Sequence, residues 1–342
     1  MKYKVQSTER TTGLGADQET RALLYLLNDR DDSKQMHWFV VDFFNDVTGV
    51  NGLCNYSIDV QAKASKNIGA KKLGEYSVTL YKNYCSCLSF NSYVLFVGGV
   101  GARVRNDNSR TIFGFDDMTL TAQKSFISGL NEAATNSTYI DDGCIDDDEI
   151  SSFAKLITIV ISSEPKQDII KRIANLNNEK INDEKLISIF NEIRDKQSVL
   201  KNNNVEGIEI STFQDFLPYK KYLVAGNVSN LILHRLIDYD FSRPLPNEFS
   251  EIVNRFEYDL RGDIEKKCKD DIMRVLFDKN NAKNFWALFS IIRQKLNENI
   301  NLSLDDIYAA IDLNIIESVP ALDIMSTKFF ISLIKESLKN DN

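Results

Sequence analysis

The sequence predicts an α/β N-terminal domain, with a mixed central sheet flanked by helices, followed by an all-α C-terminal domain. Two observations indicate this division. Of the 15 glycines, 12 precede residue 150, whereas all five prolines follow residue 164. The first part carries short runs rich in β-branched and aromatic residues, and after Pro165 the apolar residues recur with helical spacing. We therefore place an α/β domain at residues 1–164 and a helical domain at residues 165–342.

Length and composition fit a globular protein with two cores. The chain has 342 residues, of which 43% are apolar and 26% are charged. It contains no run of 18 apolar residues, and its N-terminus lacks the apolar stretch of a signal peptide. The five cysteines are scattered and odd in number, which favours a reducing compartment. We therefore expect a cytoplasmic protein without a membrane partner.

The formal net charge of −8 argues against a surface that is basic throughout. A local basic groove is nevertheless compatible with the sequence. Residues 63–82 contain five lysines against a single acid, Glu75, and arginines follow at positions 103, 105 and 110. An ordinary solvated surface would explain the same cluster.

The first predicted element is a glycine turn followed by an amphipathic helix, together spanning residues 13–27. Its apolar face consists of Leu23, Leu26 and Leu27. Gln18 and Glu19 lie near the start of this helix, and a polar group on its inner face would reach the edge of the sheet. The alternative is that both are helix-start residues favoured by the helix dipole.

Predicted strands follow at residues 38–44, 55–64, 93–97 and 110–115. Side chains alternate between the two faces of a strand, so Asp59, Gln61 and Lys63 share one face. An amide and an ammonium on one face of an apolar strand are costly in a plain core but suit a bound metal and a phosphate. Asp46 precedes Gln61 by 15 residues, a gap that can hold a hairpin.

Two further stretches complete the predicted elements of the α/β domain. Gly98, Gly99 and Gly101 follow a strand and predict a tight turn or a close backbone approach at the end of the sheet. The apolar stretch of residues 150–163 predicts a helix that joins the two domains. Beyond it, helical spacing of apolar residues recurs at 169–176, 186–193, 249–256 and 289–296.

An acid, a gap and then Gln-x-Lys suit metal-dependent hydrolysis of a phosphodiester. Mg²⁺, or Mn²⁺ in its place, prefers hard oxygen ligands. Asp46 would supply the main carboxylate, Gln61 its amide oxygen and Ala62 its backbone carbonyl. Lys63 would orient the attacking water or help to deprotonate it, and would stabilise the developing charge.

An amide binds a cation more weakly than a carboxylate does, so a second acid is needed in such a site. The candidates are Asp59, Asp42 and Glu19. Each has a structural alternative. Glu19 could be a helix-start residue, Asp42 could mark the edge of its strand, and Asp59 could face solvent at the end of its own. Gln18 or Glu19 would supply a catalytic group from the first helix.

Other chemistries find less support in the sequence. The two histidines, His37 and His234, are far apart, which leaves little for a nucleophile–histidine triad. Cys85-x-Cys87 lacks the second ligand pair of a zinc site. No Gly-Lys-Ser/Thr follows the glycines after residue 97, so a phosphate-binding loop is unsupported.

The order of a Gly-led helix with Gln18, then Asn45-Asp46-Val47, then Gln61-x-Lys63 resembles a known family. It is similar to the double-stranded-DNA endonuclease domain of bacterial antiphage effectors, a branch of the PD-(D/E)xK superfamily with a Q-x-K third motif. Such domains occur in CBASS effectors, in the nuclease subunit of Lamassu systems and in nuclease–HerA complexes. The resemblance covers residues 10–165.

The resemblance implies a restriction-endonuclease-like fold and an antiviral DNA endonuclease. Asp46, Gln61 and Lys63 inherit the catalytic roles, and Gln18 or Glu19 the helix-borne one. The C-terminal half carries no sign of a nucleotide-sensing domain, which favours control by a partner subunit such as an SMC-type or HerA-type ATPase. That half would then serve docking or oligomerisation, as a homo- or hetero-oligomer. The alternatives are a non-catalytic scaffold subunit with a degenerate nuclease fold, or an RNA-cleaving nuclease.

Overall fold

The chain folds into two compact units, as seen in a computed structural model. Unit 1 comprises residues 1–164 and 192–224, and unit 2 comprises residues 165–191 and 225–342. The end of the first stretch of unit 1 coincides with the boundary expected from the sequence. Residues 192–224 differ from that expectation, because they return to unit 1 rather than remaining in the helical part. The residues that the structure describes are 2–6, 13–140, 142–177, 179, 181–240, 242–278 and 280–340.

The β-strands of the described residues all belong to unit 1. They are β1 (Tyr3–Lys4), β2 (Met36–Val41), β3 (Val47–Asn51), β4 (Ser57–Lys63), β5 (Ser92–Val97), β6 (Ile112–Gly114), β7 (Ile157–Ile161), β8 (Glu209–Ile210) and β9 (Tyr222–Val224). β1 and β8 form a separate antiparallel pair.

The other strands form one mixed seven-stranded sheet in the described part of the chain, in the order β6-β7-β5-β4-β3-β2-β9. β2, β3 and β4 follow one another as an antiparallel meander, whereas β4, β5 and β7 run parallel. Parallel strands covered on both faces are apolar along their length, and β5 fits this rule because Tyr93–Val97 are all buried. The edge strands β6 and β9 have three residues each, which limits the exposed hydrogen-bonding edge.

Helices flank this sheet and make up unit 2. Within the described residues they are α1 (Gly13–Asn28), α2 (Ala70–Tyr76), α3 (Val78–Tyr84), α4 (Leu120–Thr135), α5 (Asp147–Leu156), α6 (Lys166–Ile173), α7 (Asp183–Lys201), α8 (Ala225–Leu236), α9 (Asn247–Val253), α10 (Tyr258–Phe277), α11 (Ala282–Glu298), α12 (Leu304–Ala309), α13 (Leu313–Glu317) and α14 (Ile324–Asn340). The final residues of α7, from 192 onward, belong to unit 1.

The prediction of a single joining helix over residues 150–163 is wrong. α5 ends at Leu156, and residues 157–161 form β7 inside the sheet. An unbroken apolar run fits a buried parallel strand as well as a buried helix, which explains the error. The start of α5 is well defined, because the Asp146 carboxylate accepts a hydrogen bond from the backbone N–H of Asp148.

The described residues of unit 2 form helices joined by turns and loops. α14 lies at its centre, with Phe329–Ile331 and Leu333–Ile334 buried, and contacts α9, α10, α11 and α12. A helix that is apolar around most of its circumference belongs in the middle of a bundle. Among the described helices of either unit, none combines the length and apolar character that crossing a membrane requires.

Candidate active site

The β3–β4 hairpin brings Asp46 directly against Gln61. In its antiparallel register Val47 pairs with Val60, so the preceding residue, Asp46, falls opposite Gln61. The Gln61 Nε2 donates a hydrogen bond of 2.6 Å to Asp46 Oδ2. The backbone N–H of Ala62 donates one of 2.8 Å to the same oxygen. The carboxylate of Asp46 is therefore fixed by both the side chain and the backbone of β4.

One face of β4 carries its polar side chains against α2 and α3, which confirms the predicted alternation. Thr79 of α3 donates a 2.6 Å hydrogen bond to the Gln61 Oε1. Further along the strand, the ammonium of Lys63 lies 5.8 Å from the centre of the Tyr76 ring of α2. Gln61 is buried whereas Lys63 is half-buried, so the lysine marks the solvent side of this polar row.

The end of β4 is held by a close approach of the backbone at Gly98. Its N–H donates a 3.0 Å hydrogen bond to the carbonyl of Lys63. A Cβ at Gly98 would lie 2.6 Å from the carbonyl oxygen of Ala64, so only glycine fits there. The close backbone approach predicted for this glycine cluster is therefore confirmed at Gly98.

Glu19 approaches the same site from α1. Its carboxylate is buried and forms an ion pair with Lys201 of α7. Burial, followed by the charge of Asp46, raises the pKa of Glu19 to about 7, with Lys201 acting in the opposite direction. Glu19 and Asp46 thus lie within electrostatic reach of each other, and a cation near both would favour their ionised forms.

Asp42 lies beside this pair, in a left-handed backbone conformation with φ 49°. Its Oδ2 is 3.6 Å from the Nζ of Lys221, a lysine that is itself buried. Burial raises the pKa of Asp42, against the opposing effect of Lys221 and Lys201. Two lysines of the 192–224 segment therefore balance the acids that α1 and the end of β2 contribute.

The structure places Asp59 in a separate polar cluster under α3. The carboxylate is fully buried and accepts hydrogen bonds from Thr48 (3.0 Å), Asn45 (3.2 Å) and Asn83 (2.7 Å). Burial raises its pKa to about 6, although these hydrogen bonds act in the opposite direction. With both oxygens occupied by protein donors, this arrangement favours a structural role over that of a metal ligand.

Gln18 also has a structural partner. Its Nε2 donates a 3.3 Å hydrogen bond to the backbone carbonyl of Ser162, just after β7. The side chain is buried, so it fastens α1 to the sheet. Of Gln18 and Glu19, it is therefore Glu19 that interacts electrostatically with Asp46.

Thr79, Lys82 and Asn83 are site neighbours that the sequence reasoning missed. They occupy one side of α3, at positions i, i+3 and i+4. Lys82 and Thr79 line a small cleft together with Asp46, and burial lowers the pKa of Lys82 to about 8. The helical spacing of these three polar residues after the Gln-x-Lys strand was the signal that could have identified them.

The donor set near Asp46 fits a hard cation only if the amide of Gln61 takes part. Among the described residues, no three Asp, Glu, His or Cys side chains form a group that could hold a metal ion. Asp46 and Glu19 supply two carboxylates, and the contact of Ala62 with Asp46 is made by its backbone N–H. Turning the Gln61 amide over would direct its oxygen toward Asp46 and its NH₂ toward the Thr79 hydroxyl, which is able to accept.

Comparisons with known proteins do not place this chain in a family. No family model, no curated protein and no solved structure matches it.

Proposed function

We propose that this protein is a Mg²⁺-dependent phosphodiesterase that cleaves DNA as an endonuclease. The observation that carries the proposal is the hydrogen-bonded pair of Asp46 and Gln61, with Lys63 two residues further along the same face of β4. An acid on a hairpin facing Gln-x-Lys on the next strand is the arrangement expected from the resemblance to PD-(D/E)xK nucleases. The meander followed by α2, α3 and the parallel strand β5 supports the same proposal.

Each residue has a defined part in this proposal. Asp46, Glu19 and the Gln61 amide oxygen would hold Mg²⁺ or Mn²⁺, together with the carbonyl of Ala62. When bound, the cation would acidify a water molecule and offset phosphate charge. Lys63 would orient that water and stabilise the charge that develops on the phosphate. Thr79 would hold the amide of Gln61 in place through its hydroxyl.

The proposed setting is bacterial antiphage defence in the cytoplasm. A chain with a net charge of −8 would bind DNA weakly by itself, because neutralisation of phosphates dominates such affinity. A DNA-loading partner, such as an SMC-type or HerA-type ATPase, would remove this limitation. Unit 2 would provide the surface for that partner or for oligomerisation, and would keep the nuclease silent until assembly.

Cleavage assays with matched variants test the proposal. Purified protein is incubated with plasmid DNA, and separately with total RNA, in Mg²⁺ or Mn²⁺. We expect the wild type to cut the plasmid, and Asp46→Asn and Lys63→Ala to lose about 100-fold or more of that activity. Lys124→Ala, which alters an exposed lysine of α4, should cleave like the wild type. Cleavage of RNA alone would redirect the proposal to an RNA-cleaving nuclease.

A non-catalytic scaffold is the second candidate, and one observation favours it. The Gln61 amide donates to Asp46, so the two side chains satisfy each other without a cation. Titration with Mg²⁺ separates the candidates. A nuclease should lose metal binding in Asp46→Asn but keep it in Lys63→Ala, whereas a scaffold should neither bind Mg²⁺ at this site nor cleave any nucleic acid.

A further inference from the structure

Lys82 lies in the candidate cleft within electrostatic reach of the buried Asp59, but no ion pair joins the two side chains in the described part of the chain. Its side chain lines the cleft with Asp46, Thr79 and Tyr139. Within the described residues, its ammonium has neither a hydrogen bond nor an ion pair, and it lies 4.9 Å from the centre of the Tyr3 ring. The direct contact of this ammonium is therefore with an aromatic ring, while the Asp59 carboxylate acts on it without a hydrogen bond.

Two other lysines near the acids of the candidate site differ from Lys82 because each of them forms an ion pair. Lys201 forms an ion pair with Glu19, and Lys221 with Asp42. These lysines already neutralise protein carboxylates, so neither offers an unused positive charge. Lys82 lines the cleft with Asp46 and forms no such ion pair among the described residues. Burial disfavours its ammonium and lowers its pKa to about 8, although the charge of Asp59 acts in the opposite direction.

α3 holds Lys82 in a fixed position. The next residue, Asn83, donates 3.1 Å and 2.7 Å hydrogen bonds to the Phe44 carbonyl and to Asp59. Asn83 also accepts a 3.0 Å hydrogen bond from the Tyr3 hydroxyl. These buried bonds anchor the helix to the sheet, so the lysine is positioned before any ligand arrives. An anion reaching it would offset part of the cost of burying the ammonium.

We propose that Lys82 binds a phosphodiester oxygen of the nucleic-acid backbone and thereby positions the phosphate beside Asp46, Gln61 and Lys63. This inference rests on the proposed function, since it names a further substrate contact of the same site. The competing role is purely structural, in which Lys82 only balances the buried charge of Asp59.

The salt dependence of DNA binding tests the inference without any cleavage step. A labelled DNA duplex is titrated in EDTA at several salt concentrations with the wild type, Lys82→Met, Lys82→Arg and Lys124→Met. Loss of one phosphate contact lowers the slope of log K against log salt by about 0.9. We expect this decrease for Lys82→Met, with a roughly threefold to tenfold weaker affinity at low salt. Lys82→Arg and Lys124→Met should retain the wild-type slope.

A measurement on the wild type covers the case in which Lys82→Met fails to fold. Limited acetylation followed by peptide mass spectrometry should show that DNA protects Lys82 and leaves Lys124 reactive. Equal reactivity of Lys82 with and without DNA would overturn the inference. So would a wild-type slope in a folded Lys82→Met.

The two proposals fail in distinguishable ways. If the wild type cleaves DNA and Lys82→Met binds it with an unchanged slope, the phosphate contact is wrong and the nuclease stands. If the wild type binds DNA through Lys82 but cleaves nothing with Mg²⁺ or Mn²⁺, the phosphate contact stands and the nuclease fails.

Discussion

At the scale of single residues, Gln61 decides what the site can hold. Its amide nitrogen lies 2.6 Å from Asp46 Oδ2 and its oxygen accepts from Thr79, so both polar ends are satisfied. A carboxylate at the same position would face a like charge unless a cation lay between them. The amide therefore satisfies Asp46 without a cation, and in the proposed nuclease it would lower the affinity for Mg²⁺.

Gln61→Glu should make the stability of unit 1 dependent on Mg²⁺. In EDTA we expect a lower melting temperature, because a hydrogen bond is replaced by two adjacent carboxylates. The loss should be about 1–3 kcal/mol. Mg²⁺ should then raise the melting temperature of Gln61→Glu more than that of the wild type, through preferential binding to the folded state. Circular dichroism melts with and without Mg²⁺ measure both effects.

The double variant Asp46→Asn/Gln61→Glu is the control for this prediction. It retains a single carboxylate and an amide, so its stability in EDTA should recover toward that of the wild type. Equal stabilisation of the wild type and Gln61→Glu by Mg²⁺ would contradict a cation site between these side chains.

We expect Asp59 to make unit 1 less stable as the pH rises from about 4 to about 6. Its folded-state pKa is about 6, raised by burial from an ordinary 3.8. The folded state therefore holds a proton that the unfolded state has lost between these values, and stability falls by about 1.4 kcal/mol per pH unit in this window. The full loss by pH 7 is about 3 kcal/mol.

Asp59→Asn should remove this pH-dependent loss while keeping a polar partner for Asn83 and Thr48. Urea unfolding at pH 4.5 and pH 7 measures it. The chain has two tryptophans, Trp38 in unit 1 and Trp286 in unit 2. In a Trp286→Phe background, the tryptophan fluorescence therefore reports on unit 1 alone. Stability of Asp59→Asn relative to the wild type should increase from pH 4.5 to pH 7. A constant difference would show that Asp59 does not titrate in this range.

At the scale of secondary-structure elements, the pair α2–α4 positions the lysine end of the site. The two helices approach so closely that a Cβ at Gly129 would lie 2.0 Å from the carbonyl oxygen of Lys71. Glycine on α4 is therefore required by the backbone of α2. Because α2 carries Tyr76, a shift of α2 changes the surroundings of Lys63.

Gly129→Ala should destabilise unit 1 by about 2–4 kcal/mol, since α2 must move away from α4. It should also lower any cleavage activity at temperatures where the variant remains folded. Gly69→Ala is the matched control, because no heavy atom lies within 4 Å of an added Cβ there. Its cost should be about 1 kcal/mol or less. Equal melting temperatures for the two variants would contradict close packing of α2 on α4.

Elements whose apolar residues recur with a clear period were predictable from the sequence, whereas elements without such a period were not. The helix over residues 13–27 and the strands at 55–64 and 93–97 correspond to α1, β4 and β5. β3 was missed as a strand, because Val47–Asn51 is short and contains Gly49. The apolar run of β7 has no period of two, so its sequence is compatible with a buried helix as well as with a strand. Contacts from residues 201 and 221 depend on tertiary folding and leave no local pattern.

The site itself was predictable only in part. Alternation along β4 correctly grouped Asp59, Gln61 and Lys63 on one face. It could not show that α3 would cover Asp59 completely while Lys63 stays at the solvent edge, since burial along a strand depends on which helix packs there. The charge partners of Glu19 were likewise invisible in sequence.

At the scale of the whole molecule, unit 1 is discontinuous in sequence. Residues 192–224 return to it and supply β9, which pairs with β2 at the edge of the sheet. The same segment contributes Lys201 and Lys221, the ion-pair partners of Glu19 and Asp42. Helix α7 is therefore part of both units, with residues 183–191 in unit 2 and 192–201 in unit 1.

This organisation predicts that a chain ending at residue 164 will not fold into a stable unit 1. It would leave the edge of β2 unpaired and would bury Glu19 and Asp42 without their counter-ions, which is a costly state for buried carboxylates. A chain ending at residue 224 retains both lysines and β9, so we expect it to unfold cooperatively with the Trp38 fluorescence change of the full chain. Circular dichroism and urea unfolding compare the two truncated chains.

The double variant Lys201→Met/Lys221→Met, made in the chain ending at residue 224, separates the contribution of the two ion pairs from that of β9 pairing. If the ion pairs matter most, this variant should lose stability mainly above pH 7, where Glu19 with its pKa of about 7 is ionised. If β9 pairing matters most, the variant should remain folded while removal of residues 222–224 unfolds it. Cooperative unfolding of the chain ending at residue 164, with the midpoint of the full chain, would contradict the discontinuous unit altogether.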